Sequence, residues 1–572
     1  MNPIELIVTS ASLTAFMGLG AAAEQRFEAE GTAAATISAD WAWGGQAASS
    51  SNAWDTLLMV TRPPLPGDQI HVWLRHRHGA VCLKTLAGDQ QVELGWSWGA
   101  TQDFAWSHQG PFPAARLAGG VVVIRGDKTD KQPATDLDCI VLSTSDRQPA
   151  DPPLAARPGV SEFAIAWDKP IGETTQRSFG LNVAHPFDVA VMTNPRYRAS
   201  MAKMAPGYIR LLENSSSLWD MPNQRLDHAK IAKLCQSWKG LAPNIMLNIS
   251  GWPAFMDADQ DGRLDEARIG DYAASCADLV NIVNIEGKTG VQWWETSNER
   301  DGAYWIDAKG AHRPQDLARI HAACATAMRA VDPTIKVGGP AATRPDLRGE
   351  LAAFATAAGD SLDFLSYHAY ASGNAADSDL RIFERTGEIA QQSQDLERRI
   401  AQITAKAGRT PLPGFLDEYN ISWTWETKDV RMSNQFSAVF DAMMITDLAQ
   451  RDIHGSAAWN DCDGIYGKMD LDFNLRPAAT VFARSNRDLV GTLCAVTVPA
   501  DAPRILAVKR ANGSRAVMLT NPDRRAVTVQ LVGTTGKATA STLAGGVVSD
   551  HDAAWDDLLP LPGRSVTWVI DR

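Results

Sequence analysis

From residue 24 to 150, apolar and polar positions alternate singly between turns rich in Gly, Pro, Asn and Asp. The runs are "DTLLMVTRP" (55–63), "QIHVWLRHR" (69–77), "VCLKTLA" (81–87), "QQVELGWSW" (90–98), "GGVVVIRGD" (119–127) and "DCIVLST" (138–144). A period of two with no helical period predicts strands with one buried face, hence a β-sandwich over 24–150. A Pro-rich stretch, "RQPADPPLAARPGV" (147–160), reads as a linker. From 178 to 485 short apolar runs alternate with amphipathic helical stretches. The runs are "FGLNVA" (179–184), "GYIRLL" (207–212), "PNIMLNIS" (243–250), "VQWWETS" (291–297), "IKVGGPA" (335–341), "LDFLSYHAY" (362–370), "GFLDEYN" (414–420) and "GSAAWN" (455–460). Stretches such as "QDLARIHAACATAMRAVDP" (315–333) supply the helices. This alternation predicts an α/β fold with a parallel sheet, and eight units predict a closed (β/α)8 TIM barrel. Over 486–572 strand alternation returns in "RILAVKRA", "SRAVMLTNP" and "AVTVQLVG", a small C-terminal β-sandwich that could share a strand with the start of the barrel region.

At 572 residues the chain is too long for one core. Its net charge of -12 argues against nucleic-acid and anionic-membrane partners, which reward Lys and Arg patches. No apolar run is long enough for a transmembrane helix. The 19 tryptophans fit sugar stacking as well as core packing, and the 7 cysteines show neither CxxC nor zinc spacing. The first 25 residues end in an apolar, Ala-rich stretch with a small-residue cleavage site near Ala23, though no Lys or Arg precedes it. Export, to the periplasm or outside the cell, is the expectation. "GLGAAA" (18–23) lacks the βαβ context of a dinucleotide site.

In such a barrel the chemistry sits at the C-terminal ends of the strands, so the polar residues closing each run can be read in order. They are Arg210, then Asn248 followed by Trp252, Asn298 with Glu299, His368 with Tyr370, Glu418 with Tyr419, and Trp459 with Asn460. Glu299 and Glu418 would face each other across the mouth. Two such carboxyls are what glycosidic cleavage needs, one to protonate the leaving oxygen and one to attack the anomeric carbon or activate water. Trp293 and Trp294 would form an apolar wall that raises the acid's pKa, and Arg210 would hold the nucleophile ionised.

An Asn-Glu pair alone is weak, being expected roughly once by chance in a chain this long. Rival acids are Glu295, Asp301, Asp417, Glu426, Asp461 and Asp463. Strand alternation allows only one of Asp417 and Glu418 to face the barrel interior. Parity alone does not choose between them.

The order of these features resembles clan A glycoside hydrolases, retaining barrel enzymes whose acid/base Glu follows an Asn after strand 4 and whose nucleophile ends strand 7. "SNER" (297–300) and "GFLDEYN" are similar to those two motifs, with support from Arg210 in "YIRLL", "VGGPA", "SYHAY" and Trp459 in "AAWN". Within the clan the chain looks most like family 39, which includes β-xylosidases. The resemblance implies Glu299 as acid/base, Glu418 as nucleophile, Asn298 on the sugar 2-hydroxyl, and Arg210, His368 and Tyr370 positioning the pair. Trp252 and Trp459 complete the expected sugar contacts. No cofactor is implied for catalysis.

"RFEAEG" (26–31) and "TDLDCIVLST" (135–144) resemble carbohydrate-binding modules of families 6 and 35, jelly rolls whose acidic residues often hold a structural calcium. The resemblance implies Glu28, Glu30 and Asp138 as its ligands. Trp41, Trp43, Trp96 and Trp98 are candidates for a sugar platform. "DADQDGRLDE" (257–266) opens like an EF-hand loop, with Asp257, Asp259, Asp261 and Asp265 at ligand spacing, but Arg268 stands where a bidentate Glu belongs. A partial calcium site and a solvated acidic loop both fit.

The expected function is therefore a retaining β-glycosidase acting on an oligo- or polysaccharide, β-xylosidase-like by default. The alternatives are an endo-acting exopolysaccharide hydrolase and a non-catalytic sugar-binding protein on a degenerate barrel. Metal-dependent hydrolysis has little support, with only His368 at a strand end and His185 after the first run.

Overall fold

The computed structural model describes residues 24–572 apart from 30–34, 39–41, 43–45, 89, 99–102, 127–133, 147, 150–153, 213–217, 307–312, 425–428 and 452. The expected leader, Glu30, Trp41, Trp43 and Glu426 lie outside the described residues.

Eight parallel strands close into a barrel in chain order. They are β1 (Gly180–Val183), β2 (Tyr208–Leu212), β3 (Asn244–Asn248), β4 (Trp293–Glu295), β5 (Lys336–Ala342), β6 (Leu365–Ser372), β7 (Gly414–Ser422) and β8 (Gly455–Ala458). Alternate residues point inward and build two strata. The lower is apolar, with Tyr208, Met246, Phe364, Phe415 and Ala457 packed around Trp293. Two residues further along β2, β3, β4 and β7 come Arg210, Asn248, Glu295 and Asp417, all fully buried. A hydrophobic floor thus supports a polar layer directly beneath the mouth.

In front of the barrel, two antiparallel sheets of six and four strands pack face to face. Val72 and Leu74, Val81 and Leu83, Val121 and Val123, and Ile140 and Leu142 form the filling, each pair two residues apart on its strand. Behind it lies a nine-stranded sheet whose fifteen-residue strand Val160–Thr174, contributed from ahead of the barrel, runs between Gly491–Thr497 and Val527–Val532. All seven cysteines are free and buried. Among the described residues, no helix is long and apolar enough to cross a membrane.

Candidate active site

Arg210 organises the polar layer. Its Nε donates to Glu295 Oε2 at 2.8 Å, Nη1 to Asn182 Oδ1 at 3.0 Å and Glu418 Oε1 at 2.8 Å, and Nη2 to Asn298 Oδ1 at 2.7 Å. Glu418 receives a second hydrogen bond, from the Tyr370 hydroxyl to Oε2 at 2.9 Å. Each carboxylate oxygen has a fixed donor, which sets the plane of the group. Asn298, with its carbonyl held by Arg210, keeps its amide for the cleft. Burial opposes the charge on Arg210, but the acidic groups beside it, Glu295 first, outweigh it and raise its pKa far above the ordinary value.

Glu299 projects into the mouth, its side chain 42% exposed. Its backbone is left-handed at φ 50°, a conformation costly for Glu, and its N–H is held by Ala341 O at 2.9 Å. His368 Nδ1 lies 2.8 Å from Glu299 Oε1 and 3.6 Å from Glu418 Oε2. One carboxylate oxygen from each glutamate and a ring nitrogen of His368 fall within 4.8 Å of one another. Burial would neutralise His368, yet the acidic groups around it, Glu418 first, push its pKa up to about 9. Burial also pushes Glu299 upward, but the hydrogen bond and charge of His368 prevail, and its pKa falls below 4.5. The two shifts favour imidazolium beside carboxylate in the resting pair.

The cleft above, about 1000 Å³, is walled by Trp423, Trp459, Tyr466 and Tyr370, with Arg344 and Asp463 on its rim. This is where the structure corrects the expected aromatic wall. Trp293 belongs to the barrel floor, packed on Phe364 and Phe415, and Trp294 points outward into the core. Trp252 is also displaced from the site. It is 3% exposed and packs edge-on against Tyr272 and Tyr304, because the chain after β3 turns back into the core. Trp423 and Tyr466 lie on loops, outside any periodic pattern, and the strand-end reading missed them.

Asp417 and Glu418 both face inward, against the expectation that one must point away. Tyr367 pairs with Leu416 and His368 with Glu418, so Asp417 is an extra residue in a β-bulge. Without the bulge the parity of Leu416 would turn Glu418 outward. The remaining rivals have other partners. Asp301 accepts from Thr343, Asp461 from the Tyr197 hydroxyl, and Asp463 from Asn460 and the backbone of 465–467.

The expected calcium ligands do not all converge. Asp138 is buried against the Arg75 guanidinium, and Glu28 lies 3.3 Å from Arg26, so each already faces a cation. In the 257–266 loop the carboxylates of Asp257, Asp259 and Asp261 approach within 4.8 Å, whereas Asp265 accepts from Ala258 N, and Arg268 pairs with Asp271.

Residues 280–462 match the model of "Glycosyl hydrolases family 39", a stretch reaching from the end of the helix ahead of β4 to just past β8. The chain carries a glycoside-hydrolase barrel. No curated protein matches it significantly. Among solved structures, a glucosidase from Croceicoccus marinus is 16% identical with a TM-score of 0.53, the match covering 73% of this chain and 100% of that one. A monomeric beta-xylosidase from Caulobacter crescentus is 14% identical, TM-score 0.52, covering 72% and 99%. A family 51 alpha-L-arabinofuranosidase from Bifidobacterium longum is 14% identical, TM-score 0.55, covering 73% and 99%. These likenesses establish the barrel fold. No catalytic cofactor is indicated by the family match.

Proposed function

We propose that this glycoside hydrolase is a retaining β-glycosidase, with Glu418 as nucleophile and Glu299 as acid/base. The observation that carries the reading is the approach of their oxygens to within 4.8 Å. Retaining pairs stand about 5–5.5 Å apart, whereas inverting pairs leave about 6.5–9.5 Å for a water molecule.

In the first step a Glu418 oxygen attacks the anomeric carbon as the bond to the leaving oxygen breaks. Arg210 and Tyr370 hold the attacking carboxylate in one orientation. The leaving oxygen takes its proton from Glu299, which shares one with His368 across 2.8 Å. Bonding of Glu418 to the sugar removes the leading charge that raises His368, second only to the opposing effect of burial. The proton held by the pair thereby becomes easier to give away as the reaction proceeds. In the second step Glu299, now ionised, takes a proton from water as its oxygen bonds to the anomeric carbon and the bond to Glu418 breaks. The low pKa that makes it a reluctant acid at rest suits it for this half.

The matched solved structures include enzymes named for xylose, glucose and arabinose, so β-xylosides come first among several substrates to try. The cleft is large for a small-molecule site and open, which fits a chain longer than one sugar. The test is aryl β-glycoside hydrolysis by wild type and Glu418→Ala. Activity should vanish in the variant and return with azide, which replaces the missing carboxylate. Undiminished hydrolysis by Glu418→Ala would remove Glu418 from the mechanism.

A further inference from the structure

Three carboxylates crowd the single buried guanidinium of Arg210. Glu295 Oε2 is 2.8 Å from Nε, Asp417 Oδ2 is 3.0 Å from the same Nε, and Glu418 Oε1 is 2.8 Å from Nη1. Arg210, Glu295 and Asp417 are wholly buried. Even with His368 as a second cation 3.7 Å from Asp417, the carboxylates of Glu295, Asp417, Glu418 and Glu299 leave an excess of negative charge that low-dielectric surroundings do not tolerate. A proton is the simplest relief, and the hydrogen bonds identify which group takes it.

Glu418 accepts from Arg210 and Tyr370, and Glu295 accepts from Arg210 Nε and Asn248 Nδ2, both at 2.8 Å. Nε carries one hydrogen, and Glu295 has it. Both carboxyl oxygens of Asp417 are then left without a hydrogen-bond partner among the described residues, as is Glu295 Oε1. One hydrogen on Asp417, directed at Glu295 Oε1, removes two of these three vacancies at once. The titratable groups facing Asp417 are Glu295 on β4, Arg210 and Tyr208 on β2, and His368 and Tyr367 on β6. His368 Nε2, also unpartnered, is 3.7 Å from Asp417 Oδ1.

We propose that Asp417 is a positioning residue held as the neutral acid, donating its proton to Glu295. In that form it leaves the charge of Arg210 to Glu295 and Glu418, and presents His368 with a carboxyl group rather than another anion. An ionised Asp417 would tighten the hold of His368 on its proton and deepen the ionisation of Glu299, working against acid catalysis. The shift directions agree, with burial and then Glu295 driving Asp417 upward while Arg210 and the Asp417 hydrogen bond overcome burial and bring Glu295 down. The bulge at Asp417 makes this arrangement possible, since it turns two successive side chains into the barrel.

The link to catalysis rests on the glycosidase reading, while the protonation does not, so the test has two arms. Infrared difference spectra of wild type minus Asp417→Asn should show the carbonyl stretch of a buried protonated carboxyl at neutral pH. Its absence from wild type would overturn the proposal without touching the glycosidase reading. In the kinetic arm, Asp417→Ala should lower kcat/KM by about tenfold or more, and Asn, which also donates to Glu295, should restore most of it. The Asn variant should keep both limbs of the pH profile within a fraction of a unit. A displacement of about one unit or more in Asp417→Asn, a full change in the charge facing His368, would show that Asp417 works as an anion and would overturn the proposal.

Discussion

His368 Nδ1 and Glu299 Oε1 lie 2.8 Å apart, a His with a raised pKa against a Glu with a lowered one, so that one proton serves the pair. Deprotonation of this pair, rather than of an isolated Glu, should end the acid function. The alkaline limb of kcat/KM is therefore expected well above the ordinary carboxylate range, following the raised pKa of His368. In His368→Asn the limb should fall by about one unit or more. A limb near 5–6 in wild type would contradict the shared proton.

The same shifts enter stability with opposite signs. His368 is raised above 6.5, so its contribution is complete below that pH and is lost as pH rises through about 9. Glu299 is lowered below 4.5, so its contribution is present above that value and lost on acidification. Chemical denaturation across pH should show His368→Asn removing the alkaline component selectively.

Arg210 neutralises a layer that holds three carboxyls, and Arg210→Met would strip it of its only guanidinium. The expected loss is about 3–5 kcal/mol of stability together with activity, read from denaturant midpoints. A variant as stable as wild type would mean that the layer is hydrated.

The cleft mouth behaves differently. Trp423 is 66% exposed and supports little of the core, so Trp423→Ala should leave the melting temperature nearly unchanged. Its loss should raise KM for oligosaccharides several-fold and leave short aryl glycosides less affected. Equal effects on both would place its contact at the cleaved sugar itself.

Several of these features were legible before any coordinates. Period-two alternation marks the strands, whereas Trp293, expected in the cleft wall, lies in the barrel floor two residues ahead of Glu295. What escaped depends on pairing between distant segments. The bulge at Asp417 is a property of β7 against β6, and nothing in "LDEYN" alone announces it. Asp138 meets Arg75 sixty-three residues earlier in the chain, so its partner is invisible in the local acidic pattern. Trp252 and Trp423 both follow strand ends, yet one is buried and the other exposed, because loop paths decide and have no period.

That front-domain pair yields a further prediction. Asp138→Ala should destabilise the sandwich by about 3–5 kcal/mol, since it leaves a buried guanidinium without its carboxylate. Chelation of calcium should not reproduce that loss at this position. A comparable drop in melting temperature on adding chelator to wild type would show that a cation, not Arg75, is the partner that matters.

Proton NMR of the first sugar released from a β-glycoside, recorded before mutarotation, reads the geometry of Glu299 and Glu418 without intermediaries. Their close approach requires the β-anomer to appear first, the product of two displacements through a glycosyl–Glu418 ester. Initial release of the α-anomer would mean single displacement by water, and the two glutamates could not hold the roles assigned to them.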